Sequence, residues 1–387
     1  MLNHLIVILE SGAASFCCYN SNIYQSSDLI SLESLREIIG YAIENNIFIS
    51  FLYGESVLPQ EYQEVIETVG HIKIMSVENI QSQENAVLIL DTGKNQHHIS
   101  RIKDSGINNI IIRIGTADLD SLNDTVGKLI GKFKRLNIIL KDIDNWNESS
   151  FSSYQCQLEE IRLLVENEYR SGNFIEVNVL TDRLFLTNMN NCGAGCDHIT
   201  LAPNDKFYLC PAFFYENSDN HIGSIDDAAK PGNNRLLELT YSPVCRNCDA
   251  YHCKRCIYLN QKFTAELNTP SSQQCIIAHI ERDISRKFLV NISKALPLED
   301  RITPIPEIDY RDPFTILTSR SLDRESREGH FAELLSKPLE NIPLKQLLLQ
   351  IYTIDPGILT KLKDMNYICL DLDDLYEKAM DPKRNMK

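Results

Sequence analysis

Short apolar runs alternate with amphipathic stretches over residues 1–185. His4-Leu5-Ile6-Val7-Ile8-Leu9 is a continuous apolar run and predicts a buried strand. Leu35, Ile38, Ile39, Ala42 and Ile43 recur at helical spacing and predict a helix over 32–46. The same reading places strands at 47–52, 72–75, 86–90, 109–114, 137–140 and 174–180. It places helices at 60–69, 97–105, 118–136 and 152–171. Strands that alternate with crossover helices form a parallel sheet. About seven such units in this length suit an open, partial (β/α) barrel better than a closed one. The fold class is therefore α/β.

From residue 186 the periodicity weakens, and cysteines dominate to about residue 286. After Phe288 the composition shifts again. Pro297, Pro304, Pro306 and Pro313 mark a linker-like stretch, and 331–339 and 344–352 have helical patterns. The tail carries Asp371, Asp373, Asp374 and Glu377, then Lys383, Arg384 and Lys387. The expected domains are 1–185, 186–290 and a small helical extension over 291–387.

The chain has 387 residues, 43% apolar and 24% charged, in the range of ordinary soluble globular proteins. Its formal net charge of -15 repels phosphate backbones and disfavours a nucleic-acid partner. No apolar run reaches the roughly 18–20 residues that span a bilayer, so no membrane partner is expected. The first residues lack the basic and long apolar regions of a signal peptide, with Glu10 closing a short run. Many thiols without an export signal point to a reducing compartment, the cytoplasm. There, clustered cysteines serve as metal ligands more often than as disulfides.

Eight of the twelve cysteines fall between Cys192 and Cys275. Their order is Cys192-x3-Cys196, Cys210, Cys245-x2-Cys248-x4-Cys253-x2-Cys256, then Cys275. Short spacings let several sulfurs turn inward onto one soft metal centre, and eight thiols make two four-ligand sets. Spacing alone fits iron–sulfur clusters or a pair of structural zinc sites.

Other side chains carry weaker signals. His97 and His98 have no carboxylate at ligand spacing and read as solvent-facing. His198 and His252 stand beside ligand cysteines, where they either donate to cluster sulfurs or are plain loop residues. His279 and Arg282 share a helix face after Cys275 and either pack under the metal or meet a partner. Cys156 and Cys369 are isolated and expected to be buried. Asp371 to Asp374 lack the spacing of a calcium loop. Phosphate-binding glycine loops and a serine nucleophile elbow are missing from the sequence.

The run from Cys192 to Cys275 resembles a SPASM domain, the auxiliary-cluster module of radical S-adenosylmethionine (SAM) enzymes that modify peptides. Cys210-Pro211-Ala212-Phe213-Phe214, the stretch from His221 to Ala228 and the block from Cys245 to Cys256 carry the likeness. The Cys248–Cys253 and Cys253–Cys256 gaps are each one residue shorter than the family's usual ones. The resemblance implies two [4Fe–4S] clusters, one on Cys192, Cys196, Cys210 and Cys256, the other on Cys245, Cys248, Cys253 and Cys275.

The family's catalytic motif, Cys-x3-Cys-x2-Cys after the first strand, is altered here. Its positions fall on Ser11, Ser15 and Cys18, and a serine hydroxyl is no soft thiolate. The adjacent Cys17 diverges from Cys18 and does not fill the gap. The family's Gly-Gly-Glu-Pro motif, which grips SAM, becomes Tyr53-Gly54-Glu55-Ser56. The resemblance thus implies a pseudo-enzyme whose Ser11, Ser15, Cys18, Gly54 and Glu55 no longer bind SAM or its cluster. Within the family, the stretches from Cys253 and from Gln274 to Arg282 resemble the maturases of CXXX repeat peptides. That likeness covers about residues 1–290. It implies a ribosomally made precursor peptide as partner, and a true radical SAM enzyme or a redox partner. The role would be to present the precursor or relay electrons. Two alternatives stay open: a zinc-stapled peptide-binding scaffold, and an active radical SAM enzyme with an unusual cluster site built on Cys17 and Cys18.

Overall fold

Period-two burial along the first strand sets the layers. In the computed structural model, β1 (His4–Ile8) is buried on both faces. Leu5, Val7 and Leu9 join one core, with Leu35, Ile38 and Ile39 of α1 (Leu32–Glu44) and Tyr62 and Ile66 of α2 (Gln60–Ile66). Ile8 points the other way, into the larger core. Burial on both faces is what a parallel sheet covered by crossover helices requires. The structure describes residues 2–16, 27–79, 85–95, 97, 99, 107–186, 189–225 and 234–293. Cys17, Cys18, His98, Cys369, residues 226–228 and the region from 294 onward lie outside them. So does most of the predicted helix over 97–105.

The described residues build a ten-stranded sheet. After β1 come β2 (Phe48–Leu52), β3 (His71–Ser76), β4 (Ala86–Asp91), β5 (Asn109–Ile114), β6 (Arg135–Leu140) and β7 (Glu176–Val177). These seven lie side by side in sequence order, all parallel. On the far edge, β8 (His198–Leu201) pairs parallel to β1, with His4 opposite His198. β9 (Lys206–Tyr208) and β10 (Gly223–Ser224) extend that edge antiparallel. The α/β partial-barrel expectation is met. The sheet runs past residue 185 into the cysteine-rich segment, and every described residue belongs to one compact unit.

Two elements differ from the sequence pattern. The long helix expected over 118–136 is instead a 3-10 turn at Thr116–Ser121 followed by α4 (Leu122–Leu129). Ile130 turns extended (ψ 136°) and Gly131 takes φ +83°, a conformation glycine adopts without the Cβ penalty. Lys134 and Arg135 then bond Asn108 O at 2.9 Å, which starts β6 early. The strand expected over 174–180 shrinks to β7, and Asn178–Phe185 forms helix α6. The Asn178 side chain takes over the ladder there. Its Oδ1 accepts from Ile138 N at 2.8 Å and its Nδ2 donates to Ile138 O at 3.0 Å. A side-chain amide can thus supply the two bonds that a strand residue would.

α5 (Glu148–Arg170) begins earlier than its apolar pattern, at a capping box in which Asn147 accepts from Ser150 N at 3.1 Å. Two short helices precede α5 on its side of the sheet, α3 (Thr92–Asn95) and α4. In the cysteine-rich segment lie α7 (Pro211–Glu216), α8 (Asn234–Leu237), α9 (Ile257–Thr264) and α10 (Ser272–Ser293). α10 docks onto α5 and α6. Phe288 meets Tyr169 edge-on, and Ser285 Oγ donates to Leu180 O at 2.6 Å. Among the described residues no helix is long and apolar enough to cross a membrane.

Candidate metal centre and strand-end cavity

Two glycines shape the first cysteine pair. Gly193 (φ +71°) and Gly195 (φ +79°) fold the Cys192–Cys196 loop tightly. A Cβ on Gly195 would stand 2.7 Å from Leu209 and from Leu237, so the loop is pressed onto the core. Cys196 N donates to Gly193 O at 2.9 Å. Cys192 N donates to Lys254 O at 2.9 Å, and Asn190 N donates to Tyr251 O at 2.6 Å, which ties this loop to the Cys253–Cys256 block. Cys210 precedes α7, and Cys256 is the N-cap of α9. A thiolate at a helix N-terminus faces the positive end of the dipole.

Cys192, Cys210 and Cys256 line one cavity of about 430 Å³, together with Cys253. Cys196 is not among its lining residues. The far wall is the inner face of the sheet, with Ile6, Ile74, Ile111 and Ile138. Of the second set, Cys253 lines this same cavity. Cys245 and Cys248 sit on a 3-10 turn, and Cys248 N donates to Cys245 O at 3.1 Å. Ala250 N donates to Cys248 Sγ at 3.5 Å. Cys275 lies in the first turn of α10.

Burial pushes up the pKa of the thiols of Cys192, Cys245, Cys248 and Cys253. At Cys253 the nearby Cys245, Cys248 and Glu281 add to that shift, which places these three cysteines within electrostatic reach of one another. Metal binding must therefore displace protons from these sulfurs. None of the nine described cysteines is in a disulfide. Among the described residues, no three His, Cys, Asp or Glu stand close enough to hold a single metal ion. Cys156, expected to be buried, is exposed on α5. Its neighbours in the helix turn Tyr154 and Leu158 to the core instead.

The histidines separate. His252 Nε2 pairs with Glu281 Oε2 at 2.9 Å, and Tyr154 Oη donates to Glu281 Oε1 at 2.6 Å. His279 Nε2 stands 3.8 Å from Cys248 Sγ, while Arg282 Nη1 donates to Asp249 Oδ1 at 3.0 Å. The α10 face thus packs under the second cysteine set. His198 opens β8 beside His4, and burial, with a smaller push from His4, lowers its pKa to about 4. His97 is exposed.

Sequence patterns missed the charges around this region. Asp249 receives Arg282, Arg286 Nη2 at 2.5 Å and the buried Arg183, whose Nε donates to Asp249 O at 3.0 Å. Burial alone would raise the Asp249 pKa, but the Arg282 hydrogen bond and the three cationic charges hold it low. Arg255 is fully buried (1% exposed) with φ +45°, a conformation costly for a side chain with a Cβ.

A second cavity, about 260 Å³, opens at the C-terminal ends of the strands, where α/β sheets place their ligands. Ser15, Gly54 and Glu55 line it, with Tyr53 where the family motif has glycine. Ser11 and Ser15 are buried (4% and 7% exposed). Buried Glu10 lies across Gly54, accepting from Ser56 N at 3.1 Å and Ser56 Oγ at 2.8 Å. A Cβ on Gly54 would stand 1.8 Å from Glu10 Oε2. Gly54→Ala should therefore displace this carboxylate and destabilise the fold by about 1–3 kcal/mol. A lower urea midpoint at unchanged slope would register it.

Three charges missed by sequence patterns also line this cavity. Asp91, at the end of β4, accepts from Lys141 Nζ at 2.6 Å and from Arg113 Nη1 at 3.2 Å. All three side chains are nearly buried. Arg113 is a charge in a strand whose other residues, Asn109 aside, are all isoleucine.

No family model and no curated protein matches the sequence. The fold does match solved structures of anSMEcpe, a SPASM/radical SAM anaerobic sulfatase maturase. With bound AdoMet, that protein is 13% identical and aligns at a TM-score of 0.54 over 76% of this chain and 100% of its own. With bound AdoMet and Cp18Cys peptide it is 14% identical, at a TM-score of 0.55 over 76% and 100%. With AdoMet and Kp18Cys peptide the values are 14%, 0.52, 76% and 100%. This chain therefore has a radical SAM-type α/β fold.

Proposed function

We propose that this protein takes part in maturing a ribosomally made, cysteine-repeat (CXXX-type) peptide, as a SPASM protein holding two [4Fe–4S] clusters and no SAM-cleaving cluster. The observation that carries the reading is the cavity lined by Cys192, Cys210 and Cys256, three of the four ligands that the family likeness assigns to one cluster. Cys245, Cys248 and Cys253 form the core of the other set. The residues fit the group: the donor set is soft, and buried Arg255 presents at the same cavity an Nη1 with no hydrogen-bond partner among the described residues. When bound, such clusters supply one-electron transfer.

The cavity of about 430 Å³ has room that a single zinc ion does not need, which supports clusters over zinc. The segment 186–290 would hold the clusters, and 1–185 would be the degenerate barrel. Ser11 and Ser15 offer hydroxyls at two ligand positions of the catalytic motif, and Glu10 lies over Gly54. These features support loss of SAM cleavage. Presentation of a precursor peptide fits the neighbour's capacity to hold Cp18Cys and Kp18Cys peptides. In that role a true radical SAM enzyme or a reductase is the partner.

The test is metal analysis of protein prepared anaerobically. About eight irons and eight sulfides per chain are expected from two cubes. Two zincs and no sulfide would leave only the scaffold. The second half of the test is reduction with dithionite in the presence of SAM. Release of 5′-deoxyadenosine would refute the pseudo-enzyme part.

A further inference from the structure

We propose that Arg255 is the counter-charge of the cysteine-lined cavity: its guanidinium donates to the anionic group that Cys192, Cys210 and Cys256 hold, and raises that group's reduction potential. The inference rests on the cluster reading above and adds a residue that the cysteine pattern does not contain.

Two observations converge on this residue. First, Arg255 is 1% exposed, and buried arginines are ordinarily paired with an anion. Here Nε donates to Asn191 Oδ1 at 2.9 Å and Nη2 donates to Leu237 O, both neutral acceptors. Among the described residues Nη1 has no hydrogen-bond partner, and the residue lines the cavity. A buried cation with only neutral partners and a spare donor is poised for an anion.

Second, the backbone strain at φ +45° sits between Cys253 and Cys256. Such strain persists only where the surroundings fix it. It directs a long side chain inward at the place where the chain passes from one cysteine set to the other.

Lys254, beside it, lines the same cavity. Arg255 brings a permanent charge, since guanidinium does not deprotonate in proteins.

A cube held by four thiolates is anionic and becomes more so when it accepts an electron. A fixed positive charge stabilises the reduced form more than the oxidised one. The electron comes from an external one-electron reductant, dithionite in the test below. Arg255 is a positioning and tuning residue and not a catalytic one.

The experiment compares wild-type protein with Arg255→Met and Arg255→Lys, all prepared anaerobically. It reads iron content and the midpoint potentials from a dithionite titration followed by electron paramagnetic resonance. Arg255→Met should reduce at a lower potential than wild type, most at the cavity-side cluster, and Arg255→Lys should recover much of the shift. Iron lost in Arg255→Met but kept in Arg255→Lys would also support the proposal, because charge would then retain the group. Unchanged potentials in iron-replete Arg255→Met would overturn it. So would equal shifts in both variants, or iron loss that lysine does not restore, since shape and not charge would be responsible. Wild-type protein containing zinc would instead sink the cluster reading itself.

Discussion

Cys256→Ser is expected to cost the protein about half of its iron, and Cys248→Ser the other half. Under the proposed function the two residues belong to different four-sulfur sets, and an incomplete set holds its cube poorly. Cys256 lines the cavity with Cys192 and Cys210 and caps α9. Cys248 is bonded by Ala250 N and flanked by His279. In each variant the remaining iron should give the spectrum of one cube, and the double variant should be nearly iron-free. Loss of all iron in either single variant would mean one shared site, against the two-set assignment. Since bound metal contributes to folding of such segments, both variants should also melt earlier than wild type.

Asp91→Ala should be strongly destabilising. Asp91 is the shared acceptor for Arg113 and Lys141, and its removal leaves two cations facing each other in a nearly buried site. Breaking a buried pair from one side costs about 3–5 kcal/mol, because the stranded charge is no longer compensated. Asp91→Asn keeps shape and one acceptor, so it should lose less. Chemical unfolding of both variants measures the difference. Equal midpoints for wild type and Asp91→Ala would show that water already screens the triad.

Much of the fold was legible because it rests on periodicity. Ile6 and Ile8 against Leu5 and Val7, and Leu35, Ile38 and Ile39 at helical spacing, report burial directly. The misread elements had local reasons that periodicity does not record. Gly131 broke an apolar pattern that looked helical to 136, and the Asn178 amide replaced strand pairing with a helix start. The cysteines drew attention through their close spacing, and Cys192, Cys210, Cys253 and Cys256 do line one cavity. Glu10, Asp91, Lys141, Arg183 and Asp249 were not, since each becomes meaningful only through a partner distant in the chain. Cys156 was misjudged because a lone cysteine has no pattern to orient it.

The pairing of β8 with β1 has a consequence for how the chain is made. During synthesis β1 acquires its second neighbour only when His198 to Leu201 have been made, about 190 residues later. Until then one of its flanks is an open template for any stray strand. Contacts this far apart in sequence slow folding, and nascent chains with exposed edges aggregate more readily. The loop that presents Cys192 and Cys196 directly precedes the strand that seals the sheet.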